Sequence, residues 1–165
     1  MLAVRPTLAI AVMLGLTSAV QSQTVYVSNY GNNTIEQFTP DGVGSVFAST
    51  GLDHPNGLAF DNAGNLYVAN NQYQDIEKFT PAGVGSIFAR VPDLPQGVAF
   101  DSADNLYVTV SASNMIVRVT PGGSESVFAS GLYDPADVVV QPTPEPATLS
   151  LLALGGLAMV KRRRK

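Results

Sequence analysis

Short apolar runs separated by turn residues recur along the middle of the chain with a period of 40–41 residues, marked by Tyr26, Tyr67 and Tyr107. Each copy holds four runs of β-branched and aromatic residues, and the sequence Thr-Pro-x-Gly closes a tight turn in every copy. Residues 24–143 show no apolar period of 3.6, which argues against helical repeats. A four-stranded unit of about 40 residues is typical of one β-propeller blade. The pattern therefore predicts an all-β, partial β-propeller of three four-stranded antiparallel blades.

The order of the predicted strands leaves one blade incomplete. The series begins with the second strand of a blade, at 25–29, and ends with an innermost strand, at 137–140. The other innermost strands are predicted at 57–61 and 97–101. Three blades cannot close a ring, because closed propellers have about four to eight. One hypothesis is a homodimer in which strand 137–140 completes the 24–48 sheet of a second copy, giving six blades. The alternatives are an open three-blade arc and a truncated gene.

Residues 24–140 contain the repeated patterns Pro-x-Gly-Leu/Val-Ala-Phe-Asp, Asn-Leu-Tyr-Val and Ile-x-x-Phe-Thr-Pro. In these patterns the repeats resemble the NHL-repeat propellers and their gluconolactonase-like relatives. The resemblance implies the fold but no particular function, since this fold hosts lyases, lactonases and binding modules. The lactonase-like relatives hold a divalent metal at the propeller axis, and one of their metal-binding asparagines matches Asn56 in Pro55-Asn56-Gly57. Gln96 and Ala136, at the corresponding positions, depart from that pattern.

The C-terminal end, residues 142–165, combines Pro144-Glu145-Pro146, an uncharged run at 147–160, and the basic cluster Lys161, Arg162, Arg163, Arg164 and Lys165. This combination resembles a PEP-CTERM sorting signal. As a helix the run would span about 21 Å, less than the ~30 Å hydrocarbon core, so it predicts a short transmembrane helix that inserts transiently in the inner membrane. The resemblance implies an exosortase-type processing peptidase that cuts near 144–146. The alternatives are a plain tail anchor and a buried apolar helix.

The N-terminal end has the three parts of a secretory signal peptide. Met1–Arg5 is positive, Thr7–Leu16 is apolar, and small residues allow cleavage after Ala19 or Ser22. We therefore expect a signal helix at 1–22, propeller repeats at 24–141 and a sorting segment at 142–165. The predicted route is export across the inner membrane, transient anchoring, and release to the cell surface or the extracellular space.

The composition of the body excludes several function classes. Residues 24–143 contain three basic and twelve acidic residues, a formal charge of −9, which argues against a nucleic-acid partner. The absence of cysteine excludes thiol chemistry and cysteine–zinc sites, and the single histidine excludes multi-histidine metal sites. We predict no cofactor, with a divalent cation at Asn56 as the alternative.

Propeller topology places the candidate ligand residues on one face, where the second-to-third-strand loops meet the loops between blades. They are Tyr30, Asn33, Asp53, His54, Asn71, Tyr73, Gln96 and Asp134. Amides, carboxylates and tyrosines suit a neutral sugar or a calcium ion, although Asn and Asp also simply close turns. No catalytic residue is predicted, because His54 has no second histidine or nucleophile as a partner.

Together these observations favour an exported surface or extracellular-matrix protein whose propeller is a non-catalytic binding or structural module. Association with exopolysaccharide is expected, because PEP-CTERM signals accompany exopolysaccharide systems. The alternative is a metal-dependent lactonase- or lyase-like enzyme of the gluconolactonase-like group.

Overall fold

The computed structural model describes residues 23–141, which form eleven β-strands and no helix. The strands are β1 (Val25–Asn29), β2 (Thr34–Phe38), β3 (Gly44–Ala48), β4 (Pro55–Phe60), β5 (Leu66–Asn70), β6 (Asp75–Phe79), β7 (Gly85–Arg90), β8 (Pro95–Phe100), β9 (Leu106–Val110), β10 (Met115–Val119) and β11 (Glu125–Ser130). No helix in this stretch could cross a membrane. The predicted signal helix (1–22) and transmembrane helix (147–160) lie outside the described residues.

The strands form three antiparallel sheets of the kind seen in propeller blades. Blade 1 is β1-β2-β3, blade 2 is β4-β5-β6-β7, and blade 3 is β8-β9-β10-β11, each joined by consecutive hairpins. The all-β prediction of three antiparallel sheets is confirmed. Within residues 23–141, blade 1 has three strands, and no innermost strand pairs with β1. Each blade has a bulge between its last two strands, such as the one between Ile76 and Glu77.

The core lies between neighbouring blades. Ile35 of blade 1 and Leu66, Val68 and Phe79 of blade 2 are almost inaccessible and pack in one cluster. The equivalent residues of blades 2 and 3, which include Ile76 and Val119, form a second cluster between these two blades. Because both faces of blade 2 are covered, all five residues of β5 are buried.

Two of the three recurring tyrosines, Tyr26 and Tyr67, pack between blades, as the sequence predicts. The ring of Tyr26 meets Phe47 of its own blade and Phe60 of the next blade edge-to-face, with centroids 5.1 and 5.0 Å away. Tyr67 repeats this arrangement with Phe88 and Phe100, at 4.9 Å each. Such pairs add about 0.5–1.5 kcal/mol beyond the burial of their area.

The hairpin loops between the first and second strands are organised by Asp61 and Asp101. Asp61 Oδ1 accepts hydrogen bonds from the backbone N–H groups of Ala63 and Asn65, and Asp101 repeats both bonds in blade 3. Burial raises the pKa of each carboxyl, but the hydrogen bonds together outweigh it, so the pKa of both is lowered from 3.8. The stability that the two ionised carboxylates give to the fold is therefore complete above pH 3.8. It is lost as the pH falls through their lower folded-state pKa.

The innermost strands approach each other closely at glycines. A Cβ added at Gly57 would lie 2.9 Å from the Cα of Gly97 and would also meet the carbonyl oxygen of Gln96. A Cβ added at Gly97 would lie 2.6 Å from the Cα of Asp137. Both glycines lie at bulges of their strands, between Pro55 and Leu58 and between Pro95 and Val98. Glycine is thus required where successive backbones cross near the axis.

The prediction of a β-strand at 137–140 is wrong for the isolated chain. The segment 135–140, which we call the inner segment, nevertheless follows β8 as β8 follows β4. Thr109 Oγ1 donates to the carbonyl of Ala136 at 3.3 Å, just as Ser28 Oγ donates to the carbonyl of Asn56 at 2.6 Å. The inner segment has the position of an innermost strand, but no second strand lies beside it within residues 23–141 to form the ladder.

Candidate functional site

The structure brings four of the predicted ligand residues together on the expected face. Tyr30 and Asn33 come from the β1–β2 loop, while Asp53 and His54 come from the loop that connects blade 1 to blade 2. His54 Nδ1 lies 2.8 Å from Asp53 Oδ1, and the rings of Tyr30 and His54 meet at 4.5 Å. We call these four residues the His54 cluster. The sequence places His54 in a loop but does not predict its pairing with Asp53.

Backbone conformation and a hydrogen bond between the two loops fix the His54 cluster. Asn33 and His54 have φ of 59° and 53°, in the left-handed region that few non-glycine residues adopt. The backbone N–H of His54 donates to Asn33 Oδ1 at 2.8 Å. The β1–β2 loop and the loop that connects blade 1 to blade 2 are therefore held in one arrangement, with 40% of the His54 side chain still exposed.

Beneath the His54 cluster lies a buried asparagine that the sequence reading did not single out. Asn70 Oδ1 accepts from the backbone N–H of Asp53 at 2.7 Å, and its Nδ2 donates to the carbonyl of Gly51 at 2.9 Å and to Asp75 Oδ1 at 3.1 Å. Asn70 is completely buried and Asp75 is 2% exposed. The connecting loop is thus anchored from below by side chains of blade 2. The sequence signal that identifies Asn70 is a polar residue at the end of an otherwise apolar strand.

Two buried carboxyl groups of β6 face blade 1 below the connecting loop. Burial raises the pKa of Asp75, while the hydrogen bond from Asn70 and the charge of Arg90 oppose that shift. Burial also raises the pKa of Glu77, and the negative charge of Asp75 raises it further. Ionised carboxylates are therefore disfavoured at this position between the blades.

Replacing Glu77 by glutamine is expected to stabilise the fold at neutral pH. The folded state binds the Glu77 proton more tightly than the unfolded state, whose pKa is near 4.5. The cost of ionisation therefore grows as the pH rises from 4.5 through the folded-state pKa, and it is absent below 4.5. Urea unfolding of wild type and Glu77→Gln between pH 3.5 and 8 should show a gain only at the higher pH values. The exposed Glu125→Gln serves as the control, and an equal gain at every pH would contradict the assignment.

A second set of side chains follows the inner mouth of the propeller. Asn56 Nδ2 donates to Gln96 Oε1 at 2.7 Å, and Gln96 Nε2 donates to Ser111 Oγ at 3.1 Å. The two amides hold equivalent positions in blades 2 and 3, within the β4 and β8 bulges. With its Nδ2 committed to Gln96, Asn56 offers a ligand its Oδ1.

The role of Asn56 as a metal ligand stays a prediction. Within residues 23–141 no three His, Asp or Glu side chains converge on one point. Asn56 forms hydrogen bonds with the neutral side chains of Gln96 and Ser28. Hard cations such as Ca²⁺ are held by several oxygen ligands that usually include carboxylates.

The remaining candidate residues lie outside the His54 cluster. Asn71 is 3% exposed and donates its Nδ2 to the carbonyl of Pro95, so it joins the end of blade 2 to the start of β8 in blade 3. Tyr73 is 52% exposed in the β5–β6 loop. Asp134 is exposed, and its N–H donates to Asn114 Oδ1 at 2.7 Å, which repeats the bond between His54 and Asn33. Because this bond from a backbone N–H to an asparagine Oδ1 recurs, it is a repeated feature of the fold.

A cavity of about 160 Å³ lies beside the outer strands of blade 3. It is lined by Pro92, Val117, Glu125, Ser126 and Val127. Its volume is below the roughly 300 Å³ at which small-molecule pockets begin.

A PEP-CTERM protein-sorting motif matches residues 142–165. The chain is therefore that of an exported protein. The motif implies processing by exosortase and sorting to the cell surface. It includes the predicted Pro144-Glu145-Pro146 and the basic cluster. No curated protein sequence matches the chain significantly.

The body is similar to solved six-bladed propellers. Virginiamycin B lyase from Staphylococcus aureus is 20% identical, with a TM-score of 0.57 over 75% of this chain and 39% of its own. A chain of a nidogen/laminin complex is 28% identical, with a TM-score of 0.64 over 72% and 48%. A putative gluconolactonase is 18% identical, with a TM-score of 0.58 over 69% and 49%. The chain thus spans less than half the length of these proteins, and the similarity establishes the fold.

Proposed function

We propose that this protein is a non-catalytic binding module, processed by exosortase and retained at the cell surface or in the extracellular matrix, where its loop face binds neutral polysaccharide. The observation that carries the proposal is the His54 cluster, which presents ordered polar groups beside an exposed aromatic ring. The sorting motif supports the location, because an exported protein meets extracellular polymers.

The chemistry of the face favours a neutral sugar chain. Tyr30 and Tyr73 expose 48% and 52% of their surface, so each offers a ring on which the apolar face of a sugar can stack. Asn33, Asp53 and His54 provide hydrogen-bonding groups whose positions are fixed before binding, which lowers the entropic cost of association. The negative charge of the body disfavours acidic polymers.

Binding should be measured by affinity electrophoresis of the full chain in mild detergent, with dextran as the neutral probe and alginate as the acidic one. Retardation in dextran and none in alginate is expected. Tyr30→Ala should raise the dissociation constant for dextran on the order of tenfold, which is a loss of about 1.4 kcal/mol of binding free energy. Val84→Ala, which alters an exposed apolar side chain in a turn on the opposite face, is the matched control. Equal retardation of Tyr30→Ala and wild type would contradict the proposed face.

The metal-dependent enzyme alternative predicts a different result. Elemental analysis of the purified protein would then find calcium or zinc in a fixed ratio to the chain, and Asn56→Ala would lose it. We expect no stoichiometric metal and unchanged dextran binding in Asn56→Ala. Metal that is lost in that variant would favour the lactonase- or lyase-like function over the binding module.

A further inference from the structure

We propose that the two end faces of the described half-ring bind a second copy of this chain, so that two copies close a twofold-symmetric six-bladed propeller. In this assembly blade 3 of each copy packs on blade 1 of the other. The inner segment of each copy becomes the missing innermost strand of the other copy's blade 1.

The same kind of interface between neighbouring blades occurs twice in the described residues. Blade 1 presents Tyr26, Ile35 and Phe47 to Leu66, Val68 and Phe79 of blade 2. Blade 2 presents the equivalent residues Tyr67, Ile76 and Phe88 to Leu106, Val108 and Val119 of blade 3. One face of each blade is therefore complementary to the opposite face of the next.

The first end face, on blade 1, is exposed where the equivalent faces of blades 2 and 3 are packed against another blade. Val25 and Val27 of blade 1 are 56% and 40% exposed, whereas the equivalent Leu66 and Val68 of blade 2 are 1% and 0% exposed. The equivalent residues of blade 3 are completely buried as well. Residues 23–141 contain no blade that packs against these two valines, and this explains their exposure, since the residue types at the position are alike.

The opposite end face is exposed at the complementary positions. Phe128 of blade 3 is 56% exposed, although the equivalent Phe47 and Phe88 are half-buried between blades. Ile116 is half-buried, whereas the equivalent Ile35 and Ile76 are completely buried. Contiguous apolar surface of this kind marks an interaction site.

Charge also matches across the proposed contact. The blade 3 end carries Arg118, whose Nε is buried with no hydrogen-bond partner among residues 23–141. The blade 1 end carries Glu36, at the position that Glu77 holds in blade 2. A second copy brings these opposite charges to the same interface.

The inner segment gives the strongest support for a second copy of this chain as the partner. It already lies in the place of an innermost strand, and the equivalent strands pair in a fixed register: Leu58 with Val68, and Val98 with Val108. The same register pairs Val138 of one copy with Val27 of the other. Edge strands such as β1 bind exposed segments readily, because their backbone N–H and C=O groups are unpaired on one side.

The number of blades selects a twofold ring. The matched propellers have six blades, and this chain covers 39–49% of their length with three. Three blades with that spacing turn through half a circle, so a twofold rotation joins both ends at once and leaves no free end. The inner mouth would then be lined by two copies each of Asn56 and Gln96, and it is incomplete in one copy alone.

The test uses the absence of cysteine in the natural chain. The full chain carrying Val27→Cys and Val138→Cys, in mild detergent, is oxidised with copper phenanthroline and analysed on a non-reducing gel. We expect most of the protein in a band of twice the chain mass. The matched control is Val27→Cys with Val139→Cys, because a shift of one residue turns the side chain to the other face of the strand. Much weaker crosslinking is expected there.

Several results would overturn the proposal. They are crosslinking that is equal in the two pairs, disulfides formed within single chains, or thiols that stay free in the first pair. Sedimentation of the unmodified full chain in the same detergent provides a measurement without substitutions. Two chains per particle is expected, and a single chain over the whole concentration range contradicts the ring.

Discussion

Ile76→Ala is expected to lower the free energy of unfolding by about 2–5 kcal/mol, the range measured for deleting a large aliphatic side chain from a packed core. Ile76 lies in β6, is completely buried, and belongs to the cluster between blades 2 and 3. Its removal leaves a cavity between two rigid sheets, which cannot close without shifting a whole blade. Urea unfolding followed by far-ultraviolet circular dichroism measures the change.

The chain offers a matched control in the neighbouring strand. Ile87 in β7 is 53% exposed, so Ile87→Ala removes the same atoms from a site that is already in contact with water. Its expected cost is below about 1 kcal/mol. Similar losses for the two variants would show that blades 2 and 3 do not pack through the cluster around Ile76.

Gly57→Ala is expected to cost about 3 kcal/mol, at the upper end of the usual range for overpacking. The added Cβ would lie 2.9 Å from both the Cα of Gly97 and the N of Val98. These are backbone atoms of the next blade, which cannot rotate away as a flexible side chain can. The inner strands would therefore be forced apart, and the loss should appear as a lower urea midpoint.

Gly122→Ala is the control for this substitution. Gly122 has no atom within 4 Å of an added Cβ, and the equivalent turn position in blade 2 is the alanine Ala82. Its effect should stay within about 0.5 kcal/mol. A loss at Gly122 as large as that at Gly57 would mean that backbone flexibility, and not the crossing of the inner strands, explains the result.

Much of this fold could be predicted because the repeat supplies internal comparison. Three copies of one pattern fix the strands, the turns and the face that each loop occupies, and the structure places Asn33 beside Asp53 as that topology requires. The strand at 137–140 was predicted wrongly for the single chain. Its residues have the right β-branched character, but a ladder also needs a neighbouring strand, and propensity cannot supply one.

The candidate site was only partly accessible to sequence reasoning. The repeat identifies Asn56 and Gln96 as equivalent positions, yet their direct hydrogen bond depends on the closeness of two bulges. The contact between Asp53 and His54 depends on a left-handed backbone conformation at His54. Such details follow from how blades stack, which a one-dimensional pattern does not encode.

The consecutive hairpins of each blade have a consequence for how the protein matures outside the cytoplasm. Within residues 23–141 each strand pairs only with strands adjacent in sequence, and each blade contacts the next one. Each sheet can therefore form its ladder from its own hairpins before the later blades are present, because a hairpin closes only a short loop. A polypeptide threaded through a secretion channel can therefore assemble sheet by sheet as it emerges, without oxidative catalysts, since there is no cysteine to join.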